Sequence, residues 1–179
     1  MIEINKLNFD LLIPKEKIDQ KVVNLAKEID NFYASNNTNP VPIIIMDGAF
    51  IFAADLLRHM TLDLNPVFTK ISSYSGIQQE KIIQFKETDF TFLQNQSVLI
   101  IEDILDSGNT MAAFLELIKK FGINDIKICS LLVKPEILRK DVKVDWFGFE
   151  ISPLFVIGYG MDYNGYGRGL ADIYQLHID

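Results

Sequence analysis

The 179-residue chain holds a single cysteine and only two histidines. Cys129 therefore has no partner for an internal disulfide, and its apolar surroundings make it a buried thiol rather than a nucleophile. So few soft ligands also exclude a zinc site of the usual kind. Basic residues are the minority charge, 17 against 24 acidic ones, for a net charge of −7. That balance disfavours nonspecific nucleic-acid binding, whose affinity comes from neutralising phosphates. No apolar run approaches the ~18 residues of a bilayer span. The opening Met-Ile-Glu-Ile-Asn-Lys lacks the basic-then-apolar layout of a leader, so the expectation is a cytoplasmic protein with no membrane partner. Repeats, low-complexity tracts and linkers are missing too. What remains is ordinary globular composition, 49% hydrophobic and 23% charged, which reads as one domain over residues 1–179.

Strand and helix signals alternate along the chain. Residues 1–13 look extended. Ile18, Val22, Leu25, Ile29 and Phe32 mark a helical stripe over Lys15–Tyr33. Val41–Met46 reads as a buried strand, followed by Asp47-Gly48 and a helix to about Met60. Asn65-Pro66 breaks the chain before a strand at Val67–Ile71. Residues 72–96 are the least regular part and read as a mobile loop with some β character, including a short strand at Ile82–Phe85. Ile126–Val133, Val144–Phe149, Phe155–Gly158 and Ile173–Leu176 supply further strands. This alternation implies an α/β fold with a mostly parallel sheet, helices on its faces and right-handed crossovers.

The chemistry gathers in one stretch, Ser97–Met111. Val98–Ile101 is an apolar, β-branched run, and Glu102 and Asp103 stand where that strand is expected to end. Asp106, Ser107, Gly108, Asn109 and Thr110 follow, and a helix is expected from Met111 to Phe121, stopped by Gly122. Each residue alone also suits a strand end or a helix cap; the joint pattern is far more restrictive. Open α/β sheets bind ligands beyond the carboxyl ends of their strands, and a helix N-terminus there suits a phosphate. Carboxylates beside a phosphate repel it unless a hard cation sits between them or they grip sugar hydroxyls. A phosphorylated sugar with Mg²⁺ meets both conditions.

Ile100-Ile101-Glu102-Asp103-Ile104-Leu105-Asp106-Ser107-Gly108-Asn109-Thr110 resembles the phosphoribosyl-diphosphate signature of the type I phosphoribosyltransferases, in the purine-salvage form of the hypoxanthine-guanine enzymes. The resemblance extends to Ile13-Pro14, Asp47-Gly48 with the helix after it, Ser73-Tyr74, Leu131–Pro135, Phe147–Ile151, Phe155–Tyr163 and Arg168. It implies the type I fold, with a small hood built from the N- and C-terminal segments. The implied substrates are 5-phosphoribosyl-1-diphosphate and a 6-oxopurine, with Mg²⁺ as cofactor and a homodimer or homotetramer as assembly. By the same resemblance Asp106 is the general base, and Ser107–Thr110 hold the 5′-phosphate. Glu102 and Asp103 serve ribose hydroxyls and metal, Asp162 a second metal, and Arg168 and the Gly48 backbone the pyrophosphate. Lys134 donates to the purine C6 oxygen, Phe155 stacks on the base, the Val156 backbone meets its edge, and Ser73 and Tyr74 belong to the closing loop.

Two positions depart from the family pattern. A basic residue usually precedes the glycine where this chain has Asp47, so that either the backbone alone binds there or Mg²⁺ offsets the carboxylate. Asn109 stands where a lysine would add charge to the phosphate loop. The alternatives are a xanthine-preferring enzyme, on which no residue decides, and a non-catalytic nucleotide-sensing or RNA-binding regulator on the same fold. The regulator needs a basic face, which the acidic balance disfavours.

Overall fold

The computed structural model describes residues 1–75, 81–85 and 89–178, and across 72–85 it describes the backbone alone. β1 (Ile2–Ile4) and β2 (Leu7–Ile13) form a hairpin whose two-residue turn, Asn5-Lys6, has positive φ at both positions, the geometry that follows strand twist. α1 (Lys15–Ser35) follows, and Ile18, Val22, Leu25 and Ile29 are buried as their spacing requires. β3 (Val41–Met46), α2 (Phe50–His59) and β4 (Val67–Ser75) come next, then β5 (Lys81–Phe85). β6 (Ser97–Leu105), α3 (Asn109–Ile118), β7 (Asp125–Val133), β8 (Trp146–Glu150), β9 (Val156–Ile157) and β10 (Ile173–Leu176) complete the chain.

The main sheet has the order β5-β4-β3-β6-β7-β8, with β4, β3, β6, β7 and β8 mutually parallel and β5 antiparallel at the edge. Strands buried on both faces explain its unbroken apolar runs. Ile44, Leu99 and Ile101 pack under α1 and α2, while Ile43, Ile45, Val98 and Ile100 point the other way, toward α3. A second, antiparallel sheet, β1-β2-β10-β9, joins the two ends of the chain as the expected hood. Cys129 is fully buried, and burial pushes its thiol far above the ordinary range. No helix among the described residues is long and apolar enough to cross a membrane.

Three boundaries differ from expectation. β6 does not stop at Ile101 but runs to Leu105, because Ile104 and Leu105 continue to pair with Leu132 and Val133 of β7 and pack on opposite faces. Glu102 and Asp103 are thus strand residues. α3 begins at Asn109, two residues early, behind a left-handed Gly108, and its last turn tightens into a 3₁₀ turn at Lys119–Phe121. Within 72–96, β4 continues to Ser75 and pairs with β5, and Phe90 and Leu93 are buried around a 3₁₀ turn. Residues 76–80 and 86–88 of that expected loop lie outside the described residues.

Candidate active site

The parallel register of β6 and β7 builds the centre of the site. Leu105 lies beside Val133, so the next residues, Asp106 and Lys134, leave the sheet together. The Lys134 amide donates to the Leu105 carbonyl at 3.0 Å, and the Arg139 amide to the Ser107 carbonyl at 3.1 Å, which stitches the two exit loops to each other. Lys134 is buried, 6% exposed, and its Nζ lies 2.9 Å from Asp106 Oδ1. A buried ammonium needs such a partner, since desolvating a lone charge is costly. Asp106 itself is well exposed to the cavity side. One donor and one acceptor therefore stand side by side.

A cavity of about 260 Å³ opens over this pair. Gly48, Asp103, Asp106, Lys134, Phe155, Val156, Asp162 and Arg168 line it, together with Ile104 and Met161, which sequence reasoning did not single out. The hood supplies one wall. Phe155 is 44% exposed there, and among the described residues its ring meets Tyr163 edge to face, at 5.8 Å between ring centroids. Residues 158–170 form the other wall through a set of tight turns: the Tyr159 amide donates to the Leu170 carbonyl and that of Gly160 to Arg168. The Tyr159 hydroxyl donates to Asp55 Oδ2 at 2.7 Å, which fastens this segment to α2, and burial followed by that hydrogen bond pushes the phenol far up. A larger cavity of about 580 Å³, between α1, α2 and residues 169–171, contains none of the predicted site residues.

The acids differ sharply in environment. Glu102 is buried; desolvation first, and the neighbouring Asp103 carboxylate second, hold its pKa well above the usual carboxylate range. Asp103 reaches the cavity and lies against Gly48, where a Cβ would stand 1.7 Å from its Oδ2. A side chain at position 48 would force the Asp103 carboxylate to turn away from where it now lies. Asp162 is already engaged: Oδ1 lies 2.6 Å from an Arg168 nitrogen and Oδ2 accepts the Gly165 amide at 2.6 Å. Arg168 also donates to the Gly160 carbonyl at 2.8 Å. No cluster of three acidic, histidine or cysteine side chains forms a complete cation cage among the described residues. Asp103 is a single carboxylate facing the cavity, which is compatible with a hard cation that takes most of its ligands from substrate oxygens and water.

Ser107–Thr110 form the turn into α3. Gly108 has φ 77°, the left-handed region that favours glycine, and a Cβ there would press on the tip of the Leu138 side chain at 2.8 Å. The first N–H groups of the helix lack partners within it and face outward with the dipole behind them. Arg139 donates to Asn109 Oδ1 at 3.4 Å, a cation next to the turn that no sequence motif signals. Ser73 and Tyr74 pair with Ile83 and Ile82 along β4, and their side chains lie outside the described part.

This geometry, a strand-to-helix turn beside an acidic pair and a hooded cavity, is that of enzymes acting on phosphorylated ribose. Residues 13–164 match the phosphoribosyl transferase domain family. The hypoxanthine-guanine phosphoribosyltransferase of Bacillus subtilis is 39% identical over 91% of this chain and 90% of its own, and that of Aquifex aeolicus 34% over 98% and 99%. A crystal structure of a hypoxanthine-guanine phosphoribosyltransferase from Bacillus anthracis superposes with a TM-score of 0.84 at 32% identity, covering 98% of this chain and 100% of that one. The chain belongs to the phosphoribosyltransferase family, in its hypoxanthine-guanine group. It has the type I fold.

Proposed function

We propose that the protein is a cytoplasmic purine-salvage enzyme that transfers phosphoribose from 5-phosphoribosyl-1-diphosphate to N9 of hypoxanthine or guanine. The observation that carries this reading is the Lys134–Asp106 pair, which lines the same cavity as the exposed Phe155 ring. A 6-oxopurine in its N7–H form presents an acceptor, O6, next to a donor, N7–H. Lys134 and Asp106 offer the complementary donor and acceptor at 2.9 Å from each other. Adenine carries an amino group in place of O6 and would set a donor against the donor of Lys134. Base-on-aromatic stacking at Phe155 adds ~1–3 kcal/mol.

In the reaction the bond from ribose C1 to the pyrophosphate oxygen breaks, and N9 supplies the electron pair for the new C1–N bond. Asp106 accepts the N7 proton as N9 attacks, which keeps the ring from becoming cationic. Positive charge grows at C1 while negative charge leaves on pyrophosphate. Arg168, released from Asp162, has the planar fork suited to that anion. The outward N–H groups of Ser107–Thr110 hold the 5′-phosphate, and Asp103 orients the ribose hydroxyls. Asp103, with Glu102 behind it and Asp162 once freed, would hold Mg²⁺; when bound, the ion neutralises the diphosphate as it departs.

Two measurements check the assignment. A spectrophotometric assay offering hypoxanthine, guanine, xanthine and adenine separately should show turnover of the first two, abolished by chelator and restored by Mg²⁺. Turnover of adenine alone, or of no base, would sink the reading. Replacing Lys134 by methionine should raise the KM for hypoxanthine by about 10- to 100-fold through loss of a buried charged donor, with the KM for the diphosphate substrate little moved. An unchanged base KM would take Lys134 out of base recognition.

A further inference from the structure

Among the described residues, both cations that line the cavity are docked on a carboxylate. Lys134 sits on Asp106 and Arg168 on Asp162. The third pair is less expected. Lys70, on β4, reaches across to Asp47 at the end of β3, its Nζ 2.5 Å from Asp47 Oδ2. The parallel register Met46 to Lys70 brings them together, since Asp47 follows Met46 directly. The Lys70 hydrogen bond first, and more distantly the charge of Arg168, hold the Asp47 carboxyl below its ordinary range, so Asp47 lies within the influence of both cations. Gly48, the next residue, lines the cavity beside Asp103 and Arg168.

Resting on the reaction proposed above, we infer that Lys70 supplies the positive charge of the pyrophosphate subsite and that Asp47 is the tether that positions it. A dianionic or trianionic group arriving between Gly48 and Arg168 meets a carboxylate at position 47, which alone would repel it. The same carboxylate, one residue from Gly48, holds an ammonium. Lys70 and Asp47 are each about half exposed, 50% and 43%, so the pair is weakly held and a flexible four-carbon stem can carry the ammonium onto a phosphate oxygen. The charge comes from the adjacent strand instead of from the residue before the glycine. Lys70 is a specificity residue for the diphosphate, and Asp47 a positioning residue.

The test compares Lys70→Met, Lys70→Arg and Asp47→Asn with the wild-type enzyme in Mg²⁺ buffer. It reads the KM for the phosphoribosyl diphosphate substrate, the KM for hypoxanthine, and calorimetric titration with inorganic pyrophosphate. Lys70→Met should raise the diphosphate KM and weaken pyrophosphate binding about tenfold, with the hypoxanthine KM within twofold of wild type. Lys70→Arg should restore both. Asp47→Asn keeps an oxygen that accepts from Lys70, so the tether survives while the repelling negative charge is removed, and it should lower the diphosphate KM. Wild-type-like diphosphate and pyrophosphate affinity in Lys70→Met overturns the inference. So does an Asp47→Asn variant that loses affinity as Lys70→Met was expected to, because the carboxylate would then be the binding group. An inactive wild-type protein would instead overturn the proposed reaction, so the two failures are distinct.

Discussion

Replacing Asp106 by asparagine is expected to lower kcat by about 10²- to 10⁴-fold, the range spanned by a positioned general base. Asparagine keeps an oxygen that accepts from Lys134, so the buried ammonium retains a partner and the β6–β7 exit loops stay in place. What is lost is the ability to take a proton from N7. The diphosphate KM should therefore move by no more than a few-fold, since the subsite formed by Gly48 and Arg168 is separate from Asp106. Most of the Asp106 side chain is exposed, 61%, so thermal stability should also change little. Steady-state kinetics on both substrates, with a thermal melt alongside, checks all three expectations. Full turnover in Asp106→Asn would assign the proton to another group. A large rise in diphosphate KM would mean that the residue binds sugar or metal instead.

The second large effect is structural and sits outside the signature. Gly160 has φ 105°, and a Cβ at that position would lie 2.1 Å from the Gly48 carbonyl oxygen. Gly160→Ala meets a strained backbone and a backbone obstacle together, and neither can turn aside as a flexible side chain would. A cost of about 3 kcal/mol corresponds to a Tm lowered by roughly 6–12 °C in a chain of this size. The same displacement moves function. The Gly160 carbonyl accepts from Arg168, and Gly48 and Arg168 both line the cavity, so either response to the clash shifts the pyrophosphate subsite. Differential scanning calorimetry should show the drop, and the diphosphate KM should rise in whatever fraction remains folded. An alanine variant that melts with the wild type would show that the 158–162 segment has room to move away from Gly48 at no cost.

Much of the fold was legible because its signals are local. The boundaries of β3 and β10 and the start of α1 follow from apolar runs and proline or polar breaks, and they fall where expected. The strand, acidic pair and glycine turn of Ser97–Thr110 were equally legible, because strand-end chemistry and helix starts are written in neighbouring residues. The end of β6 was not. Ile104 and Leu105 stay in the strand only because β7 runs beside them, and pairing with a distant strand leaves no mark between residues 101 and 105. β5 falls where a short strand at Ile82–Phe85 was expected, but the continuation of β4 over residues 72–75 was not legible for a similar reason: antiparallel pairing at a sheet edge is a contact across sequence, not a periodicity along it.

Sequence by itself determined the kind of chemistry: an alternating α/β chain, a phosphate-suited turn behind two carboxylates, and a lone cysteine with no partner for an internal disulfide. Tertiary structure decided which charges meet. Lys134 and Asp106 are 28 positions apart and Lys70 and Asp47 are 23 apart, yet both pairs close because parallel strands in register bring residues at or just past their paired positions to the same edge of the sheet. A parallel crossover can insert a helix of any length between two such residues, so sequence separation carries no information about the distance between them. Register does, and register is set only when the apolar faces of all the strands are buried at once.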